Sequence, residues 1–345
     1  MTQPAPPTAA TAPPETGILT WLRRAGLLDW FLLGLGAAVG LAYLAPGVGS
    51  HASPVPWKAL TTGGVALIFF FYGLRLSADK LRAGMRNWRL HVVVQLVTFA
   101  VFPLLALAVR PAFGSEKAAL LWQSIFFLCT LPSTVSTSVV MVSIARGNLP
   151  AAIFNASISS LLGIVLTPLW TSAVLGVGAS GGQLWPLAGS LLWQVVLPVV
   201  AGVALNRRFG AFAERHRQAL RTFDQLIILL IVYTSFCESF AEGVFRSYVA
   251  SDVLLLAAGM VALYGLVFGA VWALSRLLGF AREDRVVALF CGSKKSLVHG
   301  SVMARLLFPG AAATGALLLP LMLYHALQIV LASIMAQRLG REAGE

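Results

Sequence analysis

Charge is what this sequence has least of, acidic charge above all. Its 345 residues include 13 Asp and Glu against 25 Lys and Arg, and the four types together make up 11% of the chain. A soluble domain carries about a quarter charged residues, so a water-exposed globular fold is excluded. Between Arg89 and Arg207 the single acid is Glu116, and no Walker, HExxH or DFG-like string occurs. An ATP-driven pump or a metal-dependent hydrolase would have nowhere to place its chemistry, so no enzymatic activity is expected. Cysteine is scarce as well. Cys129, Cys237 and Cys291 are far apart, odd in number and without CxxC spacing, which removes both a disulfide framework and a zinc site.

What remains is apolar: 58% of residues are hydrophobic and the mean hydropathy is +0.83. A membrane span needs roughly 20 such residues. Ten candidates follow, at about 27–45, 59–76, 90–109, 118–145, 149–175, 186–205, 223–240, 253–275, 286–308 and 313–337. The expected fold is therefore an all-α polytopic membrane protein with the lipid bilayer as its solvent. The net charge of +12 suggests nucleic acid at first sight. Its basic residues, however, sit in short loops between spans and make no continuous groove for phosphates, so no nucleic-acid partner is expected.

Those loops also set orientation. Eighteen of the 25 Lys and Arg fall in the N-terminal tail, the even-numbered loops and the C-terminus; five are assigned to odd-numbered loops, Arg305 among them; the other two are Lys294 and Lys295. Positive residues stay inside, so both termini are expected in the cytoplasm of a multi-pass cell-membrane protein, an inner membrane if the source is bacterial. The opening "MTQPAPPTAATAPPETG" cannot build a core and lacks the layout of a signal peptide. Residues 1–26 and 339–345 read as tails.

The chain resembles itself. "TVSTSVVMVSIARGNLPAA" (134–152) lies on "SKKSLVHGSVMARLLFPGA" (293–311) at a constant offset of 159, matching Ala145-Arg146 to Ala304-Arg305 and Pro150 to Pro309. This links the fourth span to the ninth. Five spans is an odd number, so the second copy would run through the membrane upside down. The expected units are 27–175 and 186–338, two inverted five-helix repeats. Pro132 in span four and "CGSKKS" in span nine break both helices at corresponding places. That pattern points to a secondary transporter's binding site.

The polar residues gather at those breaks. "PSTVSTS" (132–138) gives Ser133, Thr134, Ser136, Thr137 and Ser138, hard oxygen ligands for a cation or a substrate. Asn155 and Ser157 on span five would support them. Lys294 and Lys295, between Ser293 and Ser296, are the sharpest signal. A lysine at bilayer depth costs roughly 2.5–3.5 kcal/mol on insertion scales and normally faces a cavity or a partner. Gln95, Thr98, Glu238 and His299 are possible coupling or supporting residues, while Gln328 and His325 read as packing residues.

"LPSTVSTSVVMVSIARGNLPAA", "SSLLGIVLTPL", "FCGSKKSLVHGSVMARLLFP" and "GVALIFFFYGLRLS" resemble the bile acid:sodium symporter family. The likeness is to its SBF-like branch, related to member 7 of solute carrier family 10, and covers residues 27–338. It implies ten helices in two inverted repeats, with a panel moving against a core whose fourth and ninth helices unwind and cross. Sodium-coupled members resemble one another in a Ser-Asn pair, a Glu in helix nine and a Gln in helix three. Here the matching places hold Ser138-Val139, "FCGSKKSL", and Thr98 with Gln95 about a turn away. Neutral oxygens beside an ammonium hold sodium poorly, so indifference to sodium is expected and no cofactor or resident metal is implied.

A lysine that sheds its proton during the cycle would instead couple transport to protons. A fixed lysine, helped by a half-helix N-terminus, would capture an anion. The expected function is alternating-access transport of a small organic anion. The alternative is a non-transporting membrane regulator or receptor acting in ion or envelope homeostasis.

Overall fold

A computed structural model describes residues 30–50, 53–76, 87–177, 189, 192–247, 249–308 and 314–342; the expected tail 1–26 lies outside them. Among these residues every regular element is helical. Seven helices are long and apolar enough to cross a membrane: α2 (Trp57–Arg75), α3 (Trp88–Ala112), α6 (Leu149–Leu175), α7 (Leu192–Arg215), α8 (Arg217–Ala241), α9 (Ala250–Leu277) and α12 (Thr314–Glu342). The shorter helices used below are α1 (Trp30–Leu44), α4 (Glu116–Thr130), α5 (Ser136–Ile144), α10 (Arg282–Gly292) and α11 (Leu297–Leu307).

The two spans that looked interrupted in sequence are interrupted. Span four is α4, a gap and α5; span nine is α10, a gap and α11. Two expected edges move. Arg305 lies in the last turn of α11 rather than in a loop. The final helix continues to Glu342, inside the expected tail 339–345, because its end is packed: the Leu339 carbonyl accepts a hydrogen bond from Arg282.

The helices sort into two groups. In the first, α2 packs along α7, and α8 packs on α1 and α2. The α2–α7 approach is close because a Cβ on Gly73 would strike the Val199 carbonyl and one on Gly202 would strike the Phe70 carbonyl. Small residues at such crossings let membrane helices share backbone contact where no hydrophobic drive exists. The second group holds α3 to α6 and α9 to α12, with both gaps inside it. The groups meet where α8 lies against α11 and α12, and where Tyr72 of α2 donates to the Ser157 carbonyl of α6 at 2.9 Å.

Three helix N-termini converge at one end of the second group. Asn87 caps α3 and Asn148 caps α6, each accepting a backbone N–H through its side chain. Both then donate their amides to Asp284, in the first turn of α10, at 2.6 and 2.9 Å. A carboxylate suits this position because helix N-termini carry partial positive charge. It locks the starts of α3, α6 and α10 together.

Candidate functional site

The first gap starts with Pro132. Proline has no N–H to continue α4 and disfavours helical geometry in the residue before it; Leu131 accordingly turns extended, at φ −73° and ψ 152°. The chain passes close to α6 because Gly163 leaves room: a Cβ there would sit 2.6 Å from the Pro132 ring. A helix that ends inside a membrane protein must find other partners for its last carbonyls. Each partner can be named. Thr130 O accepts from Thr167 Oγ1 at 2.8 Å. Pro132 O accepts the Ser296 N–H at 2.9 Å. Cys129 O and Leu131 O accept from the Lys295 ammonium at 2.7 and 2.8 Å.

The second gap, Ser293–Ser296, is held from α12. Gln328 presents its whole amide to the Lys295 backbone, Oε1 accepting its N–H at 2.9 Å and Nε2 donating to its carbonyl at 2.8 Å. One turn earlier, Tyr324 donates to the Ser293 carbonyl at 2.7 Å. Ser296 then starts α11 as its N-cap, with Oγ accepting from the His299 N–H at 3.3 Å.

The two lysines diverge from this frame, and both are fully buried. The Lys295 Nζ makes a third bond, to Thr98 O at 2.8 Å, and lies 4.0 Å from the centre of the Phe102 ring. Lys294 Nζ makes one hydrogen bond among the described residues, to Thr137 O at 3.0 Å, with the Phe290 ring centre at 5.9 Å. Neither forms an ion pair with an acidic side chain among the described residues. The expected cavity or counter-ion is replaced by backbone carbonyls. Two of these, Cys129 O and Leu131 O, lie at the end of α4.

The hydroxyls form a short chain beside Lys294. Thr134 Oγ1 lies 2.7 Å from Thr137 Oγ1 and 2.9 Å from Ser138 Oγ, and Ser138 donates to Phe290 O on α10 at 3.0 Å. Thr137 is partly exposed while Ser138 is buried. Ser133 gives its N–H to Ser159 Oγ at 2.9 Å, and its own hydroxyl has no partner among the described residues. Ser293 Oγ turns back to Leu289 O at 2.6 Å. The side chain of Ser136 lies outside what the structure describes.

Other expected residues serve neighbouring contacts. Asn155 donates to Ala151 O at 3.0 Å and pairs with His91 at 2.9 Å, while Gln95 Nε2 lies against the Asn155 carbonyl and amide oxygens at 3.2 and 3.3 Å. Ser157 contributes its carbonyl to the Tyr72 contact. Thr98 acts through its backbone oxygen, since its hydroxyl is turned to Val94 O at 2.8 Å. His299 sits where the helix groups meet, its Nδ1 3.1 Å from Ser296 Oγ and its ring edge-on to Phe69 and Tyr72. Its Nε2 has no partner among the described residues. Glu238, on α8, lies close enough to Arg305 on α11 for their charges to interact.

Tyr324 and Gln328 also hold the second gap; Gln328 reads as a packing residue in the sequence, and Tyr324 is not singled out there. They stand four apart, so they share one face of α12, and a buried amide one turn from a buried tyrosine in a span is the available clue.

Two interrupted helices meeting inside a multi-pass bundle, with donors on one and acceptors on the other, are the architecture of a membrane transport protein. Comparison with known sequences makes this specific: residues 29–341 match the SBF-like CPA transporter family, and the chain belongs to it. It is 41% identical to "Uncharacterized protein PA2026" of Pseudomonas aeruginosa, over 91% of this chain and 94% of that one. It is 36% identical to "Putative symporter YfeH" of Escherichia coli K12, over 92% and 94%. Across 89% of its length and 91% of the relative's, it is 30% identical to "Sodium/bile acid cotransporter 7" of Mus musculus.

Proposed function

We propose that this protein is a secondary transporter carrying a small organic anion by alternating access, with Lys294 as the charge that receives the anion and without a requirement for sodium. The observation that carries this reading is Lys294 itself. It is a fully buried lysine with no carboxylate partner among the described residues, one hydrogen bond, and a partly exposed threonine beside it. An ammonium has three N–H donors, so a carboxylate or similar anion arriving past Thr137 would meet unspent donors and an uncompensated charge. The N-terminus of α11, which begins just beyond Ser296, adds its partial positive charge.

Ten membrane segments in two inverted repeats, 27–175 and 186–338, suit this mechanism. Helix positions support them at the same offset of 159. Moved on by that number, α2 falls at 216–234 against Arg217–Ala241, and α3 at 247–271 against Ala250–Leu277. The α5 half-helix falls at 295–303 against Leu297–Leu307, and α6 at 308–334 against Thr314–Glu342. Rocking of the α1–α2–α7–α8 group against the broken-helix group would open the gaps to either side in turn. Both termini would lie in the cytoplasm.

The test is counterflow into liposomes holding purified protein, with a panel of labelled mono- and dicarboxylates, in sodium or choline chloride. The reading expects accumulation of at least one carboxylate to equal extent in both salts. Accumulation confined to sodium would overturn the coupling proposed here. If no carboxylate accumulates and a membrane protein co-purifies in stoichiometric amount, transport of carboxylates is wrong and the protein acts through that partner.

A further inference from the structure

Each of the three acceptors of Lys295 is an oxygen that the fold has deliberately left over, and the reason differs each time. Thr98 lies in a π-helical turn, Val97–Val101, where the Phe102 N–H reaches back to Val97 O. The α-helical partner of Thr98 O is thus taken, and the next residue along, Pro103, has no N–H to offer. For Cys129 O the natural helical donor is the Ser133 N–H, which goes to Ser159 instead. Leu131 O lies beyond the end of α4. Three released carbonyls, one on α3, one in the last turn of α4 and one just past its end, therefore point at one spot, closed on a further side by the face of Phe102.

We infer that this spot is a cation site in its own right, and that Lys295 fills it with a tethered ammonium. The donor count agrees: three N–H groups meet three oxygens at 2.7–2.8 Å, which is the full complement of an ammonium. The aromatic face at 4.0 Å adds the attraction that favours organic cations. No carboxylate is part of the cage, so a divalent metal, which demands charged oxygen ligands, is not its natural occupant. A primary ammonium or a monovalent ion is. The tether is also separately secured, since Gln328 grips the Lys295 backbone irrespective of its side chain. Removing the side chain should therefore empty the cage rather than dissolve the gap, and a free cation of the right shape should refill it.

This is tested by melting temperature, a readout independent of any transport assay. Wild type, Lys295→Ala, Lys295→Met and Lys294→Met are purified in detergent and melted with propylammonium, tetramethylammonium, sodium or potassium chloride at matched ionic strength. Propylammonium replaces the atoms that Lys295→Ala removes; tetramethylammonium has no N–H to donate. Lys295→Ala is expected to melt about 5 °C or more below wild type. At least half of that loss should return with propylammonium and none with tetramethylammonium, while wild type and Lys294→Met respond to neither. Recovery that does not distinguish the two ammonium ions overturns the inference, as does Lys295→Met or Lys295→Ala melting with wild type. Should Lys295→Ala fail to accumulate, Lys295→Met decides: failure there too, while Lys294→Met accumulates, supports the cage, and wild-type stability refutes it.

Discussion

The two gaps interrupt helices at corresponding places, yet they are opposites chemically. The first, between α4 and α5, is made by a proline and leaves acceptors behind: the carbonyls of Cys129, Leu131 and Pro132, with Thr137 O just beyond. The second, between α10 and α11, contributes donors: two ammonium groups and the Ser296 N–H. The bonds between them run almost all one way, from the second gap to the first, Ser138 to Phe290 O being the return. A broken helix survives at membrane depth only if its released backbone groups find partners. Each unsatisfied backbone group there costs several kcal/mol, and here one gap answers the other. Equal gaps, both lined with hydroxyls, would leave the carbonyls looking for a dissolved ion. Unequal gaps have one built in.

The largest effect is expected where the second gap loses its own support. Gln328→Leu keeps the volume but strands the Lys295 N–H and carbonyl, two buried backbone groups at about 1–3 kcal/mol each. A loss of about 2–6 kcal/mol is expected, measured as reduced unfolding temperature and reduced yield in detergent. Stability within about 0.5 kcal/mol of wild type would mean that α12 does not hold the gap.

A smaller effect is expected from the first gap. Ser138→Ala removes the bond that runs back from the first gap to Phe290 O, at about 1 kcal/mol. A double-mutant cycle with Lys294→Met should show coupling between the two, because Ser138 and Lys294 meet through Thr134 and Thr137. Strict additivity would place them in separate networks.

Smallest of all is the effect of sodium. With an ammonium already seated among the released carbonyls, replacing choline by sodium should shift the melting temperature of wild type by less than about 1 °C. A bound ion would raise it progressively as its concentration passed the dissociation constant, and such a rise would show an ion site elsewhere in the bundle.

Much of this frame is legible in the sequence, because its causes are local. Pro132 stops α4 wherever the rest of the chain goes, and "GSKKS" cannot be an ordinary apolar turn. The hydroxyl cluster at 133–138 and the lysine pair are visible as violations of an apolar pattern. The partners are not legible, because they are backbone atoms or lie far along the chain. Nothing in "VVQLVTFAVFPLL" announces a π-helical turn, so Thr98 reads as a side-chain ligand when only its carbonyl is used. Gln328 reads as an isolated polar residue because its amide meets a backbone 33 residues away. The charge neighbour of Glu238, Arg305 on α11, lies 67 residues along the chain and is likewise not legible.

The division of labour between adjacent lysines is the claim on which the account stands, and carboxylate counterflow by Lys294→Met beside wild type, in sodium-free choline chloride, addresses it most directly. The account predicts a folded Lys294→Met protein, melting close to wild type, whose accumulation of the carboxylate falls at least about 30-fold, the scale of a lost buried charge contact. Accumulation at wild-type level by that variant would contradict it.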